Sequence, residues 1–250
     1  MFMRFVELNI KHDQLMAFER FYNFRTAPAL LEVEGCLFAQ LIHSVSEESD
    51  FVSFTLWSSQ EEAQTFQFGG FYEKLVDELD PFIEDSSEWK IRLTDDMTLD
   101  YSPVKQEPVI QGMPVAAGTS EKEAAKQIGS HTYIRILSAK LEPGNFAEFR
   151  RRYDEEVTPG LLAIDGCYAA YMVGSEESKE FISVTIWESR AHAESFQESG
   201  EFQELFSIVK PLLSSLYQWS MSLDASKQGR TKTSDDVLVR GYHAVTGVEV

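Results

Sequence analysis

The chain has 250 residues, 43% hydrophobic and 12% aromatic, enough for two compact domains with a core in each. Its 22 basic and 41 acidic residues give a formal charge of −19, a surface that repels nucleic acid and anionic lipid, whose binding rests on clustered Lys and Arg. No apolar run approaches the ~20 residues of a membrane helix. Residues 1–7 carry charges where a signal peptide keeps its apolar stretch, and Cys36 and Cys167 are too few for a disulfide framework, so a cytoplasmic, reduced protein is expected.

The first predicted strand covers residues 2–10. A helix follows, with Leu15, Phe18 and Tyr22 on one face at spacings of three and four. Pro28 is expected to disturb that helix near its end, because proline removes a backbone donor. Gly35 precedes a second strand. The third strand, residues 51–57, has period two: Phe51, Ser53, Thr55 and Trp57 point one way, Val52, Phe54 and Leu56 the other. The purely apolar side is expected under the helices, and the mixed side against some other cover. Ser59 and Glu62 form a capping box that opens the second helix. Gly69 and Gly70 break it, and Phe71, Leu75 and Leu79 continue an apolar stripe. Residues 89–93 are expected to close the sheet as a fourth strand. From 94 to 130, Pro103, Pro108, Pro114, Gly112 and Gly118 have the composition of a linker, followed by helix-prone residues 121–127. A weak trailing strand is read at 95–99.

The order then repeats. Residues 3–36 lie on 134–167 without a gap and share 9 of 34 positions, among them Arg4, Tyr22, Pro28, Gly35 and Cys36. Residues 51–93 lie on 181–223 and share 13 of 43 positions, among them Ser53, Thr55, Trp57, Phe66, Gln67, Leu75 and Trp89. Unrelated sequences would share roughly one position in seventeen, so this is duplication of a whole domain. The second copy has the helix stripe Phe146, Phe149, Tyr153 and Val157. Its strand sets Phe181, Ser183, Thr185 and Trp187 against Ile182, Val184 and Ile186. The division is a first repeat at 1–93, a linker with an extra strand at 94–130, a second repeat at 131–223, and a tail at 224–250 with a strand of its own.

Strand, helix, strand, strand, helix, strand is a ferredoxin-like unit, an antiparallel sheet with both helices on one face. The other face needs a cover, and the second copy supplies it. The expected fold class is α+β: two ferredoxin-like β-α-β-β-α-β repeats packing sheet to sheet as an intramolecular dimeric α+β barrel, with trailing strands bridging the edges.

Three stretches carry a family resemblance: Pro-x-Leu-Leu-x-x-x-Gly-Cys at 28–36 and 159–167, Phe-x-Ser-x-Thr-x-Trp at 51–57 and 181–187, and Ala-x-x-Phe-Gln-x-x-Gly at 63–70 and 193–200. With them the sequence resembles the antibiotic-biosynthesis monooxygenase family of the dimeric α+β barrel superfamily. The resemblance covers both repeats and omits linker and tail. It implies oxygenation of quinols or aromatic polyketides without a cofactor, or, in another branch, haem degradation. That branch relies on a first-strand Asn, a Trp early in the second helix and a His near its end. Here the matching positions are Phe5 or Val6 and Ile136 or Leu137, then Phe66 and Phe196, then the neighbourhoods of Leu75 and Leu205. The haem-degrading set is absent, while loose haem binding stays open.

The candidate ligand-binding residues are Arg4, Ser53, Thr55 and Trp57, with Arg135, Ser183, Thr185 and Trp187. If the mixed face looks into the barrel, the hydroxyls orient a phenol or quinol oxygen. The tryptophans stack on a ring or pack the core. A strand arginine polarises a ligand oxygen or pairs with a carboxylate such as Glu7. Arg20, Arg151, Tyr22 and Tyr153 read as packing and surface pairing, and His43 as a solvated residue. Cys36 and Cys167 read as buried and inert, since nothing nearby lowers a thiol pKa. No histidine pair has metal-ligand spacing, so no metal is expected, and no catalytic residue stands out. Tyr168 and Tyr171 replace Leu37 and Gln40, so the two cavities need not be equivalent. The sequence reads as a monooxygenase for a small aromatic or quinol-like compound that needs no bound cofactor. The alternative is a non-catalytic small-molecule-binding or stress-associated barrel. No nucleic-acid or membrane partner is expected, and a homodimer of the whole chain is left open.

Overall fold

The computed structural model describes residues 1–45, 49–93, 99–105, 109–119, 132–177, 180–214 and 238–244. Ten strands are described: Phe2–Asn9 (β1), Cys36–Ser44 (β2), Asp50–Trp57 (β3), Asp85–Leu93 (β4), Leu99–Lys105 (β5), Val109–Gly118 (β6), Tyr133–Lys140 (β7), Cys167–Gly174 (β8), Glu180–Trp187 (β9) and Leu238–Ala244 (β10). Eight close a barrel in the order β1-β3-β2-β10-β7-β9-β8-β6, and β4 and β5 form a separate two-stranded sheet. Each repeat therefore gives a ferredoxin-like sheet, β6-β1-β3-β2 or β10-β7-β9-β8, and the two join at both edges. No helix among the described residues is long and apolar enough to cross a membrane.

The fourth strands correct one expectation. Residues 89–93 do form a strand, but it pairs only with β5. The fourth place in the first sheet belongs to β6, which lies within residues 94–130. The sequence of β4 alternates Glu88, Lys90 and Arg92 with Trp89, Ile91 and Leu93. By contrast, β6 carries no charged residue but is only partly covered, with Ile110, Gln111, Gly112 and Pro114 exposed. Its proline and glycines have structural uses. Pro114 sits where β6 passes from β1 to β8, next to a bulge, and needs no ladder donor there. A Cβ on Gly112 would meet the Phe2 ring, and one on Gly118 would overlap the Ala170 carbonyl. The second sheet is completed by β10, which pairs with β7 and with β2. The expected fourth strand at 219–223, the helix-prone stretch at 121–127 and all of the trailing strand at 95–99 except Leu99, which begins β5, lie outside the described residues.

The helices lie outside the barrel. Leu15–Phe21 (α1) runs into a π-helical turn, Tyr22–Thr26, and on into Ala27–Leu31 (α2). The Ala27 N–H donates to the Tyr22 carbonyl, five residues back. Pro28 thus falls in the first turn of α2, where its missing N–H matters little, and the helix continues past it. Gln60–Gln67 (α3) and Gly70–Leu79 (α4) are separated at Gly69, and Ser59 Oγ caps α3 by accepting from the Glu62 N–H at 3.2 Å. The second repeat has Phe146–Arg152 (α5), a π turn at Tyr153–Val157, Thr158–Leu162 (α6), Arg190–Glu198 (α7) and Glu201–Val209 (α8).

Three cores result. One lies between helices and sheet in each repeat. The third fills the barrel with residues from both halves, including Met3, Phe5, Val52, Phe54 and Leu56 with Ile134, Tyr171, Val184, Ile186 and Tyr242. Gly118 has φ +127 at the seam between β6 and β8. Gly118→Ala is expected to cost ~1–3 kcal/mol, read as a lower urea midpoint. Gly70→Ala, in a helix start with open space around it, should be neutral or stabilising.

Candidate functional site

The strand faces are the reverse of the sequence expectation. Val52, Phe54 and Leu56 fill the barrel, while Phe51, Ser53, Thr55 and Trp57 lie under the helices. Both faces are buried, so apolarity alone does not distinguish them. Hydrogen bonding does, because a buried hydroxyl needs a partner. The helix above β3 offers one: Tyr22 Oη lies 2.6 Å from Ser53 Oγ. In the second repeat Tyr153 Oη is 2.7 Å from Ser183 Oγ and donates to the Tyr171 carbonyl at 3.2 Å. The large aromatics at the strand ends prop the helices: Phe51 meets Phe18 at 5.4 Å between ring centres, and Trp57 stacks on Phe66 at 5.2 Å. The short hydroxyl residues between them leave a gap.

That gap is a cavity in each repeat, about 50 Å³ in the first and about 60 Å³ in the second. Of the candidate residues, Arg4, Ser53 and Thr55 line the first, and Arg135, Ser183 and Thr185 the second. The structure gathers these residues, but outside the barrel and in two separate places. Trp57 and Trp187 are buried beside them. Their indole N–H groups donate to Thr55 Oγ1 at 2.9 Å and Thr185 Oγ1 at 2.8 Å. Both volumes fall below the ~300 Å³ at which small-molecule pockets begin. A ring-sized ligand therefore requires the side chains of α4 or α8, which form the outer walls, to move.

The polar groups have unequal freedom. Thr55 Oγ1 donates to the Arg4 carbonyl at 3.4 Å and accepts from Trp57, and Ser53 is held by Tyr22. The candidate hydroxyls are thus occupied by the fold's own bonds. Arg4 makes no ion pair with Glu7. Its guanidinium sits 4.9 Å from the Tyr72 ring centre and 5.9 Å from that of Phe66. Burial pushes its pKa down, and the Tyr72 phenol partly offsets this. Arg135 sits over Phe202 at 4.6 Å and donates from one Nη to Gln197 Oε1 at 2.6 Å. Thr26 and Tyr72 in the first repeat, and Gln197 in the second, are site residues that the sequence reading missed. For Thr26 and Tyr72 the signal was divergence, since Val157 and Phe202 stand at their places in the second repeat.

The remaining candidates sit elsewhere. Arg151 is on the surface, paired with Glu148 and Glu155. His43 stacks on Phe51 at 4.3 Å. Gln40 and Tyr171 are buried, and Tyr171 belongs to the barrel core, so this difference between repeats does not alter either cavity. The side chain of Trp89, and Trp219 altogether, lie outside the described residues. No histidine or carboxylate appears among the residues lining either cavity. Phe66 and Leu75 in the first repeat, and Phe196 and Leu205 in the second, are apolar walls of the cavities.

Burial raises the Cys36 thiol pKa from 9.0 to about 11 and the Cys167 thiol pKa to about 12. Both thiols are protonated at neutral pH; Cys167, which is buried, should react with a thiol reagent only on unfolding, and the half-buried Cys36 faster than Cys167. Because the folded state holds these protons more tightly, their contribution to stability is complete below pH 9 and is lost as pH rises through 11 and 12. Denaturation midpoints across that range check the sign. Ser53→Ala removes a buried partner of Tyr22 and is expected to cost ~1–3 kcal/mol. Ser183→Ala should cost less, since Tyr153 keeps its bond to the Tyr171 carbonyl.

Comparison with known proteins places this geometry. A search of curated proteins returns no match. Among solved structures, a proposed monooxygenase from Lactobacillus acidophilus superposes with a TM-score of 0.65 at 8% identity, covering 98% of this chain and 94% of that one. One from Fusobacterium nucleatum gives 0.64 at 8% identity, with 98% and 92% covered. An anthrone oxidase-like protein gives 0.53 at 11% identity, with 97% and 90% covered. At such identities these likenesses establish the fold. A family model described as antibiotic biosynthesis monooxygenase matches residues 1–69 and 132–207, more than half of the chain and a part of each repeat. The chain belongs to the antibiotic biosynthesis monooxygenase family, with the domain present twice.

Proposed function

We propose that the chain is a cofactor-independent monooxygenase that takes a small aromatic or quinol-type compound between sheet and helices. The observation that carries this reading is a buried arginine in an otherwise mostly apolar cavity, present in both repeats. Family membership supports oxygen chemistry, and the likeness to an anthrone oxidase-like protein supports the substrate class. The ring would pack against Phe66 and Leu75, or against Phe196 and Leu205, with its oxygen turned to the guanidinium. A fixed positive charge in a dry cavity favours the ionised phenol or enol over the neutral form.

Such an anion is electron-rich enough to reduce O2 itself. For an activated ring CH2, as in an anthrone, the reaction balances without an external reductant. The CH2 becomes C=O with one oxygen atom, and the other oxygen leaves as water with the two substrate hydrogens. The protein supplies orientation and exclusion of bulk water. With no carboxylate or histidine on the lining, suitable substrates are those that ionise readily on their own. The same observation favours the second reading, a barrel that binds such compounds without transforming them.

The test is oxygen uptake across a panel of hydroquinones and anthrones, against heat-inactivated protein. At least one compound should raise uptake, and the Arg4→Gln/Arg135→Gln double variant should lower it at least tenfold, the loss expected for ~1.4 kcal/mol or more of charge stabilisation. Uptake at the control level with every compound, while compounds still bind, overturns the oxygenase reading and leaves the binding protein.

A further inference from the structure

The two cavities share a plan but differ in what they leave unsatisfied. In the first repeat Arg4 is 3% exposed, and its Nε and one Nη have no hydrogen-bond partner among the described residues. Thr26, 4% exposed and on the same lining, has an equally unpartnered Oγ1. Thr26 belongs to the π-helical turn, whose widened backbone carries Tyr22 and Thr26 onto the buried side. In the second repeat the matching positions are Val157 and Phe202 in place of Thr26 and Tyr72, and Arg135 is tied to Gln197. Gln67, the counterpart of Gln197, makes no such bond to Arg4. A guanidinium fork kept from water with two donors unused is costly unless an anion meets it, since arginine does not lose its proton.

We propose that the first-repeat cavity is an oxyanion site. It takes one small carboxylate- or phenolate-bearing ligand, held by the Nε–H and Nη–H of Arg4 and by the Thr26 hydroxyl. In the second-repeat cavity Gln197 already takes one Nη of Arg135 and Val157 offers no hydroxyl, so an anion is held there more weakly. The proposal rests on the functional reading above for the location of the site, and it names the charge state of the ligand and the repeat that binds it more tightly. The chain is then asymmetric, with a tight anion site in the first repeat and a weaker one in the second.

Isothermal titration of the full chain with benzoate, and separately with 4-nitrophenolate, tests this, with benzyl alcohol as the neutral control. The expected result is one tightly bound anion per chain and no heat with benzyl alcohol. Arg4→Gln should weaken binding roughly 10- to 100-fold, the usual worth of a charge-assisted pair. Thr26→Val and Tyr72→Phe copy the second repeat and so should fold. Thr26→Val should weaken binding roughly threefold or more, and Tyr72→Phe less. Gln197→Ala should tighten the second, weaker site. Two equal sites in the unmodified chain, equal heats for benzoate and benzyl alcohol, or full binding by a folded Arg4→Gln variant would overturn the proposal. So would no binding of either anion at millimolar concentration. Benzoate has no oxidisable hydroxyl and reports binding alone, so benzoate binding with no uptake across the hydroquinone and anthrone panel leaves the anion site standing and removes the oxygenase, and uptake in that panel without anion binding does the reverse.

Discussion

A sheet with helices on one side has a second face that water cannot be allowed to reach, and the structure follows from how that face is covered. Each repeat builds a sheet of four strands, and each sheet covers the other. Closure leaves no free edge, which matters because an open edge is a template for aggregation. The seams are made by β6 and β10, each completing its own sheet while pairing with the other repeat. The duplication is thus a single barrel core contributed by both halves.

That constraint also decides where a ligand can go. The space between two facing sheets of a small barrel is filled by side chains, and here it is filled by Phe5, Phe54, Ile186, Tyr242 and their neighbours. The space between sheet and helix is spanned by large aromatics at the strand ends and held open by Ser53, Thr55, Ser183 and Thr185 between them. Polar side chains collect there because Tyr22 and Tyr153 come down from the helices to satisfy them. Duplication then permits divergence, since each repeat needs the other for its core but not for its cavity. Thr26 against Val157, and Tyr72 against Phe202, are the marks of it.

Much of this was legible in the sequence. Period-two alternation at 51–57 and 181–187 located the strands, Ser59 and Gly69 bounded α3, and the internal repeat implied one half as cover for the other. The candidate residues Arg4, Ser53 and Thr55 do share a cavity, as do Arg135, Ser183 and Thr185. The orientation of the strand was not legible, because a strand buried on both faces gives no hydropathy contrast. Its direction depended on a tyrosine 31 residues away. The fourth strand of the first sheet was misread because Trp89 and Trp219 match so well. Pro114, Gly112 and Gly118 read as linker residues until their partners Phe2 and Ala170 were known. The link between Arg135 and Gln197 spans 62 residues and carries no local signal.

The account stands on the ligand lying outside the barrel, between helices and sheet. Methyl-labelled NMR during titration with an aromatic ligand measures this most directly. The methyl signals of Leu30, Leu75 and Val76 are predicted to shift, while those of Val52, Ile134 and Val184 stay in place. Shifts confined to Val52, Ile134 and Val184 would put the ligand inside the barrel and contradict the account.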